Sequence, residues 1–158
     1  MAGRRTVSVV AVLGLVACSL MVSTALAKHD GTAARAASQV TVKTAQSRLG
    51  RILVDARGHT LYLWSSDPAN RSSCTSDFGC PTYWPPLLTS GKPHAGSGVD
   101  ASLLGTIRRT KPAGLQVTYN GHPLYFNAAD TKPGDLKGQG QIKEWFVVSP
   151  EGKPIKKK

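Results

Sequence analysis

Acidic residues are scarce in this 158-residue sequence: nine Asp and Glu stand against 20 Lys and Arg, which gives a formal charge of +11 at pH 7. Intrinsic disorder is not expected, because 41% of the residues are apolar and only 18% are charged. A helical bundle is not expected either, since no stretch combines helix caps with an apolar period of 3.6 residues. The 16 glycines and 10 prolines are typical of a chain rich in turns. The composition therefore predicts an all-β protein with a single small domain.

Motifs of catalysis are also missing. The sequence contains no H-E-x-x-H, no G-x-S-x-G, no Walker loop and no G-x-G-x-x-G. Gly138-Gln139-Gly140 matches only the first three positions of the last motif and is typical of a turn. We therefore predict a non-catalytic protein without a cofactor, with haem or a transition metal as the open alternative.

Long apolar runs are absent after residue 27, so the mature chain is not expected to span a bilayer. The first 27 residues have the order of a secretory signal peptide: Arg4 and Arg5, an apolar stretch, and the small-residue site Ala25-Leu26-Ala27. An exported protein follows, with no nucleic-acid partner expected. The predicted segments are a signal peptide at 1–27, a flexible tether at 28–39, a folded domain at 40–155 and a basic tail at 156–158.

The three cysteines divide between two roles. Cys18 ends the run Leu15-Val16-Ala17-Cys18, which fits a bacterial lipoprotein signal, so lipidation of Cys18 is the alternative to cleavage after Ala27. Cys74 and Cys80 lie in the exported part, where two cysteines at short spacing favour a disulfide. A metal or redox pair is the rival interpretation, but C-x5-C has neither thioredoxin spacing nor the four ligands of a zinc site.

An internal duplication organises the folded part. Ordered recurrence of three blocks along one chain indicates two related units. Each unit predicts a β-hairpin, and the strongest signal is Asn120-Gly121 between two apolar runs. We therefore expect two hairpin units related by a pseudo-twofold axis. The matched blocks are 47–52 with 102–107, 54–62 with 117–125, and Trp84 and 91–93 with Trp145 and 152–154. The predicted strands are 52–54, 60–64, 115–119, 124–126 and 145–148, with 84–88 as an edge or extended segment because of its two prolines.

The repeated residues also carry a resemblance to a known family. The matching stretches are Leu49-Gly50-x-Ile52-Leu53-Val54-Asp55, Tyr62-Leu63-Trp64-x-x-Asp67, Cys74-x5-Cys80-Pro81-x-x-Trp84-Pro85-Pro86-Leu87, Val117-Thr118-Tyr119-Asn120-Gly121-x-Pro123-Leu124-Tyr125, 130–135, 138–140 and Trp145. From about Leu49 to Pro154 the chain resembles the bacterial secreted repeat of unknown function, also described as predicted lipoproteins with a Tyr-x-aromatic-x-x-Asp motif. The second unit departs from this motif, since Phe126 places its aromatic residue one position early. The resemblance implies export and a repeat scaffold, and it implies no activity.

Seven residues of the repeat are candidates for either packing or binding. For the aromatic residues we favour packing between the two units over a stacking face for a sugar or a flat cofactor. For the two aspartates we favour capping of a turn by a carboxylate over a cation site that would include Asp135. The seven residues are Tyr62, Trp64, Trp84, Tyr125, Trp145, Asp67 and Asp130.

Two further groups could bind a ligand. His59 and His122 are equivalent turn residues, expected to be exposed, and the alternative is that the pseudo-twofold brings them together around a metal or a haem. Arg108, Arg109 and Lys111 lie in a predicted loop before the second hairpin, and they favour an anionic neighbour over a role in solubility alone. We therefore predict an exported module that docks to an anionic wall polymer or an envelope protein. The alternative is a redox, haem or metal-handling accessory protein.

Overall fold

The computed structural model describes Gly3 and residues 39–157. Apart from Gly3 and Gln39, the predicted signal peptide, the lipidation candidate Cys18 and the predicted tether lie outside the described residues, and those predictions stay predictions. No helix within 39–157 is long and apolar enough to cross a membrane.

The described residues form small β-sheets, so the predicted all-β fold is confirmed. The strands are β1 Thr41–Ser47, β2 Gly50–Asp55, β3 Tyr62–Trp64, β4 Leu88–Thr89, β5 His94–Ala95, β6 Leu104–Thr110, β7 Ala113–Tyr119, β8 His122–Pro123 and β9 Trp145–Val147. They pair in the orders β2-β1-β5, β3-β9 and β4-β7-β6, with β8 added to β7. Helical structure in 39–157 is limited to short turns, which are α1 Cys80–Tyr83 and the 3-10 segments Ser76–Phe78, Ala101–Leu103 and Gln141–Lys143.

The turns of the two hairpin units differ in length, and each has the chemistry that its conformation needs. Between β7 and β8, Asn120 and Gly121 take φ angles of 50° and 78°, as the predicted hairpin turn requires. Between β2 and β3 the turn occupies residues 56–58 and is one residue longer. The Asp55 carboxylate closes this turn by accepting hydrogen bonds from backbone N–H groups two and four residues on, at 2.9 and 2.8 Å.

The predicted internal repeat is present as two equivalent arrangements of strands. The β1–β2 hairpin and the segment that follows it correspond to the β6–β7 hairpin and the segment that follows β7. Matching hydrogen bonds establish the register: the Leu61 N–H donates to the Leu53 carbonyl, and the Leu124 N–H donates to the Val117 carbonyl. The two units thus have one backbone plan.

Two details of the predicted repeat alignment were wrong. Leu53, and not Val54, is the residue equivalent to Val117, because the longer turn after β2 shifts the register by one residue. Gly50 is equivalent to Gly114 of the second unit and not to Gly105. Gly50 and Gly114 lie near the starts of β2 and β7 with φ angles of 101° and 149°, whereas Gly105 lies inside β6. Matching by residue identity had concealed the insertions.

Four strands lie outside the predicted ranges: the long strands β1 and β6, and the two-residue strands β5 and β8, of which β8 precedes the predicted strand at 124–126. In β1 only Val42 is fully buried, and in β6 only Arg109 is, so neither strand shows the apolar alternation of a half-buried strand. As a result Arg108 and Arg109, which were expected in a loop, lie in β6, and Lys111 lies in the turn that follows it. The segment at 84–88 is extended as expected, and it leads into β4 at the edge of the β4-β7-β6 sheet.

Successive residues of the strands point into two different apolar clusters. Leu61 and Leu63 belong to an aliphatic cluster, whereas Tyr62 between them belongs to an aromatic one. This follows from the two-residue period of a strand that is buried on both faces. The aliphatic cluster contains Val42, Leu53, Leu61, Leu63, Leu87, Val117, Tyr119, Leu124 and Val148. The aromatic cluster contains Leu49, Ile52, Val54, Tyr62, Cys74, Trp84, Tyr125, Trp145 and Val147.

Candidate functional site

Equivalent tryptophans of the two units stack on each other at the centre of the aromatic cluster. The rings of Trp84 and Trp145 lie 3.8 Å apart and 3° from parallel. Each meets a tyrosine of its own unit edge-on: Tyr62 lies 5.4 Å from Trp84, and Tyr125 lies 5.1 Å from Trp145. These four residues are at most 6% exposed. The structure therefore places them in the core, as the packing interpretation expects, and the symmetric pairs locate the pseudo-twofold axis between the two tryptophans.

Trp64 is the outer member of the aromatic stack. Its ring lies on Trp145 at 5.3 Å and 8° from parallel, and its indole N–H donates to a Glu144 carboxylate oxygen at 2.6 Å. It is half-buried, unlike the other two tryptophans. The equivalent position in the second unit holds Asn127, which is not aromatic. The aromatic stack therefore has a third ring in the first unit and none at the matching position of the second.

The Tyr and Asp of the family motif bond across the two units. Tyr62 and Tyr125 exchange backbone hydrogen bonds in both directions, each at 2.9 Å. The Tyr62 hydroxyl donates to Asp130 at 2.6 Å, and the Tyr125 hydroxyl donates to Asp67 at 2.5 Å. Each tyrosine is thus bonded to the aspartate of the other unit. The motif residues therefore form two equivalent Tyr–Asp hydrogen bonds between the repeats.

The second oxygen of each aspartate closes the loop that follows it. Asp67 accepts from the Ser73 N–H at 2.7 Å, and Asp130 accepts from the Lys137 N–H at 2.9 Å. This agrees with the capping interpretation, although each loop is longer than a simple Asx-turn. Burial raises the pKa of Asp67, and burial together with the nearby Asp67 charge raises the pKa of Tyr125.

The alternative cation site at Asp130 and Asp135 is filled by the chain itself. Asp135 accepts from the N–H groups of Thr131 and Lys132, and the Lys137 ammonium lies 3.2 Å from the same carboxylate oxygen. The Lys137 ammonium thus lies beside Asp135, where the cation-site interpretation placed a metal ion.

The two predicted histidines have different environments. His59 lies 3.5 Å from Asp55 at the turn before β3. His122 is half-buried, its Nδ1 has no hydrogen-bond partner in the described part, and burial lowers its pKa while the Asp67 charge opposes this. Residues 39–157 contain no group of three or more His, Cys, Asp or Glu side chains placed to hold a metal ion.

Arg109 was predicted, with Arg108 and Lys111, as a possible ligand-binding residue, and the structure bonds its guanidinium within the fold. Arg109 is only 7% exposed. Its guanidinium donates to Ser72 Oγ and to the Cys74 carbonyl, both at 2.5 Å, and to Gln116 Oε1 at 2.6 Å. Nothing near the Arg108-Arg109 pair in the chain indicated these partners, which lie up to 37 positions away. Arg109 therefore ties β6 and β7 to the segment that precedes the disulfide.

The predicted disulfide between Cys74 and Cys80 is confirmed, with an S–S distance of 2.06 Å. It closes the loop that contains the Ser76–Phe78 turn and leads directly into α1. Trp84 follows α1, and its N–H donates to the Cys80 carbonyl at 2.9 Å. The bridge thereby fixes the approach of Trp84 to the aromatic stack.

Exposed basic residues line several clefts, and two of these clefts have no acidic residue in their lining. One, which we name the arginine cleft, has a volume of about 150 Å³, and its lining includes Asn70, Arg71, Ser72, Thr75, Arg108 and Lys111. Arg108 and Lys111 are exposed here, the buried Arg109 also lines this cleft, and Lys111 pairs with Asp77 at 3.7 Å. The other, the lysine cleft, measures about 630 Å³ and is lined by Arg48, Lys143, Lys156 and Lys157 with Gln139, Gly140 and Phe146.

The lysine cleft was missed from the sequence because its members are far apart in the chain. Residues 156–158 were expected to be a solvated tail, but Gln139 donates from its side-chain amide to the Ile155 and Lys157 carbonyls at 2.6 and 2.8 Å. Lys156 and Lys157 are exposed, yet their backbone is attached to the domain. The run of lysines itself was the one signal that could have indicated this cleft.

The fold uses its carboxylates internally. All eight Asp and Glu residues of 39–157 accept hydrogen bonds from neighbouring groups or form ion pairs with them. Among the Lys and Arg residues of the same range, only Lys111 and Lys137 form ion pairs with carboxylates. Of the eight acids only Asp77, Asp100 and Glu151 are exposed and Asp67 is buried, so exposed cations outnumber exposed carboxylates. The eight acids are Asp55, Asp67, Asp77, Asp100, Asp130, Asp135, Glu144 and Glu151.

Comparison with known families agrees with the geometry. The family model described as "secreted repeat of unknown function" matches residues 43–88 and 108–149, which together make up more than half of the chain. Each match covers one of the two units and ends shortly after its tryptophan at Trp84 or Trp145. Comparisons with curated proteins and with solved structures gave no match. With two matched copies that coincide with the two halves of the fold, the chain belongs to the secreted repeat family of unknown function.

Proposed function

We propose that this protein is a non-catalytic docking module of the bacterial cell envelope that binds an anionic polymer of the wall. The observation that carries the proposal is the separation of charge: the carboxylates are bonded within the fold, whereas exposed cations line two clefts. A surface with this distribution attracts polyanions and leaves few carboxylates to oppose them. The family's description as secreted is consistent with a polymer outside the cytoplasm.

The arrangement of the motif residues supports a binding role over a catalytic one. Tyr62 and Tyr125 are buried, and their hydroxyls are bonded to aspartates of the opposite unit. Burial and the adjacent carboxylates raise the pKa of both hydroxyls, so both stay protonated at neutral pH. The Tyr and Asp residues of the motif thus hold the scaffold together, and the exposed surface is left for ligands.

The test is co-sedimentation of the purified exported protein with isolated wall material over a range of salt concentrations. We expect binding at low ionic strength that weakens as salt rises, because exposed charges are screened over about 8 Å at physiological salt. Removing two exposed cations with Arg71→Ala and Arg108→Ala should weaken binding about tenfold or more, at roughly 1 kcal/mol for each charge. The matched control is Lys92→Ala with Lys132→Ala, two exposed lysines that line neither cleft.

Three outcomes would overturn the proposal. Binding that does not respond to salt, or no binding at low salt, would exclude an electrostatic docking surface. Equal losses in the cleft variant and in the control would show attraction by net charge alone. Sedimentation that disappears when protein is stripped from the wall material would replace the polymer with an envelope protein as the partner.

A further inference from the structure

The lysine cleft has the composition of a site for one particular kind of polyanion. Its four cations come from three parts of the chain: Arg48 from the turn between β1 and β2, Lys143 from the turn before β9, and Lys156 with Lys157 from the C-terminal segment. None of the four forms an ion pair within residues 39–157, and no acidic residue lines the cleft. Four like charges around one concavity repel one another, and an anion bound between them would relieve this repulsion.

The backbone beside the cleft is strained. Ile142 and Lys143 have φ angles of 48° and 60°, in the left-handed region that a β-branched residue such as isoleucine rarely adopts. Strain of this kind concentrates at functional sites. Here it accompanies a lysine on the cleft wall and leaves Ile142 73% exposed. The turn is held in place by the Gly140 N–H, which donates to the Trp145 carbonyl at 2.8 Å.

Apolar surface lies within reach of the same charges. Phe146 lines the cleft while remaining only 7% exposed, so it presents a small patch of ring. Gln139 also lines it, and its amide is already committed to the Ile155 and Lys157 carbonyls. A ligand with charged groups separated by carbon-rich units would meet cations and apolar surface together.

We propose that the lysine cleft binds a phosphodiester-linked polyol or sugar chain. A phosphodiester presents its oxygens in several directions, so ammonium groups from different sides can share it, whereas a carboxylate presents one planar edge. Lysine is a point charge with three donors and suits this mode. The carbon backbone between phosphates lies against Phe146. This inference rests on the proposed function and specifies its ligand and its site.

The experiment is a titration of the exported protein with a synthetic glycerol phosphate hexamer, followed by calorimetry and by amide chemical shifts. We expect binding, with the largest shift changes at residues 139–143, 146 and 156–157. Lys143→Gln with Lys156→Gln should weaken binding at least tenfold, and Lys92→Gln with Lys132→Gln should weaken it less than threefold. Near-ultraviolet circular dichroism of the tryptophan stack checks that each variant is folded.

Other ligands separate the possible failures. Equal binding of a hexaglutamate peptide would refute phosphate recognition, and binding to phosphatidylglycerol vesicles but not to the hexamer would indicate a lipid surface in place of a polymer. Unchanged hexamer binding by the cleft variant would overturn the assignment of the site, while salt-sensitive binding of wild-type protein to wall material would leave the proposed function standing. If the wild-type protein bound neither the hexamer nor the wall material, both proposals would be refuted.

Discussion

Removing the hydroxyl of Tyr125 should destabilise the protein more than removing that of Tyr62, although the two tyrosines occupy equivalent positions. Tyr125 donates to Asp67, which is only 7% exposed, and Ser72 Oγ lies 2.7 Å from the same hydroxyl. Tyr62 donates to Asp130, which is half-buried. Water can replace a lost donor at Asp130 far more easily than at Asp67.

The magnitude follows from what each carboxylate keeps. After Tyr125→Phe, Asp67 retains the Ser73 N–H as a close donor, and its buried charge is left partly uncompensated. A hydrogen bond to a charged group is worth about 1.5–3 kcal/mol, so we expect a loss of about 2–3 kcal/mol for Tyr125→Phe. For Tyr62→Phe we expect about 1 kcal/mol, since the Lys137 N–H and solvent both reach Asp130.

Urea denaturation followed by tryptophan fluorescence measures both losses, because the stacked tryptophans report the loss of tertiary packing. Tyr83→Phe is the matched control: Tyr83 is 69% exposed, and we expect no change in the free energy of unfolding. A double-mutant cycle of Tyr125→Phe with Asp67→Asn should show a coupling of at least 1 kcal/mol. Equal losses for the two tyrosines, or a coupling near zero, would refute the reasoning about burial.

Three further predictions concern the same core. Burial raises the pKa of Asp67, so its protonation contributes stability that is complete below the unfolded value near 3.8 and is lost as the pH rises through the raised value. Over that window wild type should therefore lose stability relative to Asp67→Asn, and a difference that is independent of pH would contradict this. Replacing Cys74 and Cys80 with serine should lower the free energy of unfolding by about 2 kcal/mol in chemical denaturation, because the unfolded chain gains the entropy that the short closed loop had removed. A free-thiol titration of the denatured, unreduced wild type should detect neither cysteine. Arg109→Ala should cost about 3 kcal/mol, because it leaves buried acceptors without donors, whereas Arg108→Ala, at an exposed neighbouring position, should change the unfolding midpoint very little.

The features that could be predicted from the sequence are those specified by nearby residues. The Asn120-Gly121 turn, the disulfide, the apolar run of β3 and the alternating apolar residues of β7 all carry their signals within a few positions. The repeat was also detectable, since its motif recurs in order. Its register was not, because a one-residue difference in turn length leaves no mark on residue identity.

The features that escaped prediction depend on residues that are distant in the chain. Arg109 looked like a surface cation, and its burial depends on acceptors 35 and 37 positions away at Cys74 and Ser72. The lysine cleft combines Arg48 with residues almost a hundred positions later. Strand β6 is stabilised by pairing with β7 and carries little apolar pattern of its own. For Arg109 and the lysine cleft the partners become neighbours only when the two units pack together, whereas β6 pairs with β7 of its own unit.

The crossed Tyr and Asp bonds imply that a lone repeat is chemically incomplete. The partner of Tyr62 lies 68 positions away and that of Tyr125 lies 58 positions away, so the five-residue spacing within each motif sets up bonds to a second copy of that motif. A chain with one repeat would bury an unsatisfied hydroxyl and an uncompensated carboxylate unless it met another like itself. Two such chains placed across a twofold axis would satisfy each other. The motif residues therefore act in pairs, and in this protein both members of each pair belong to one polypeptide.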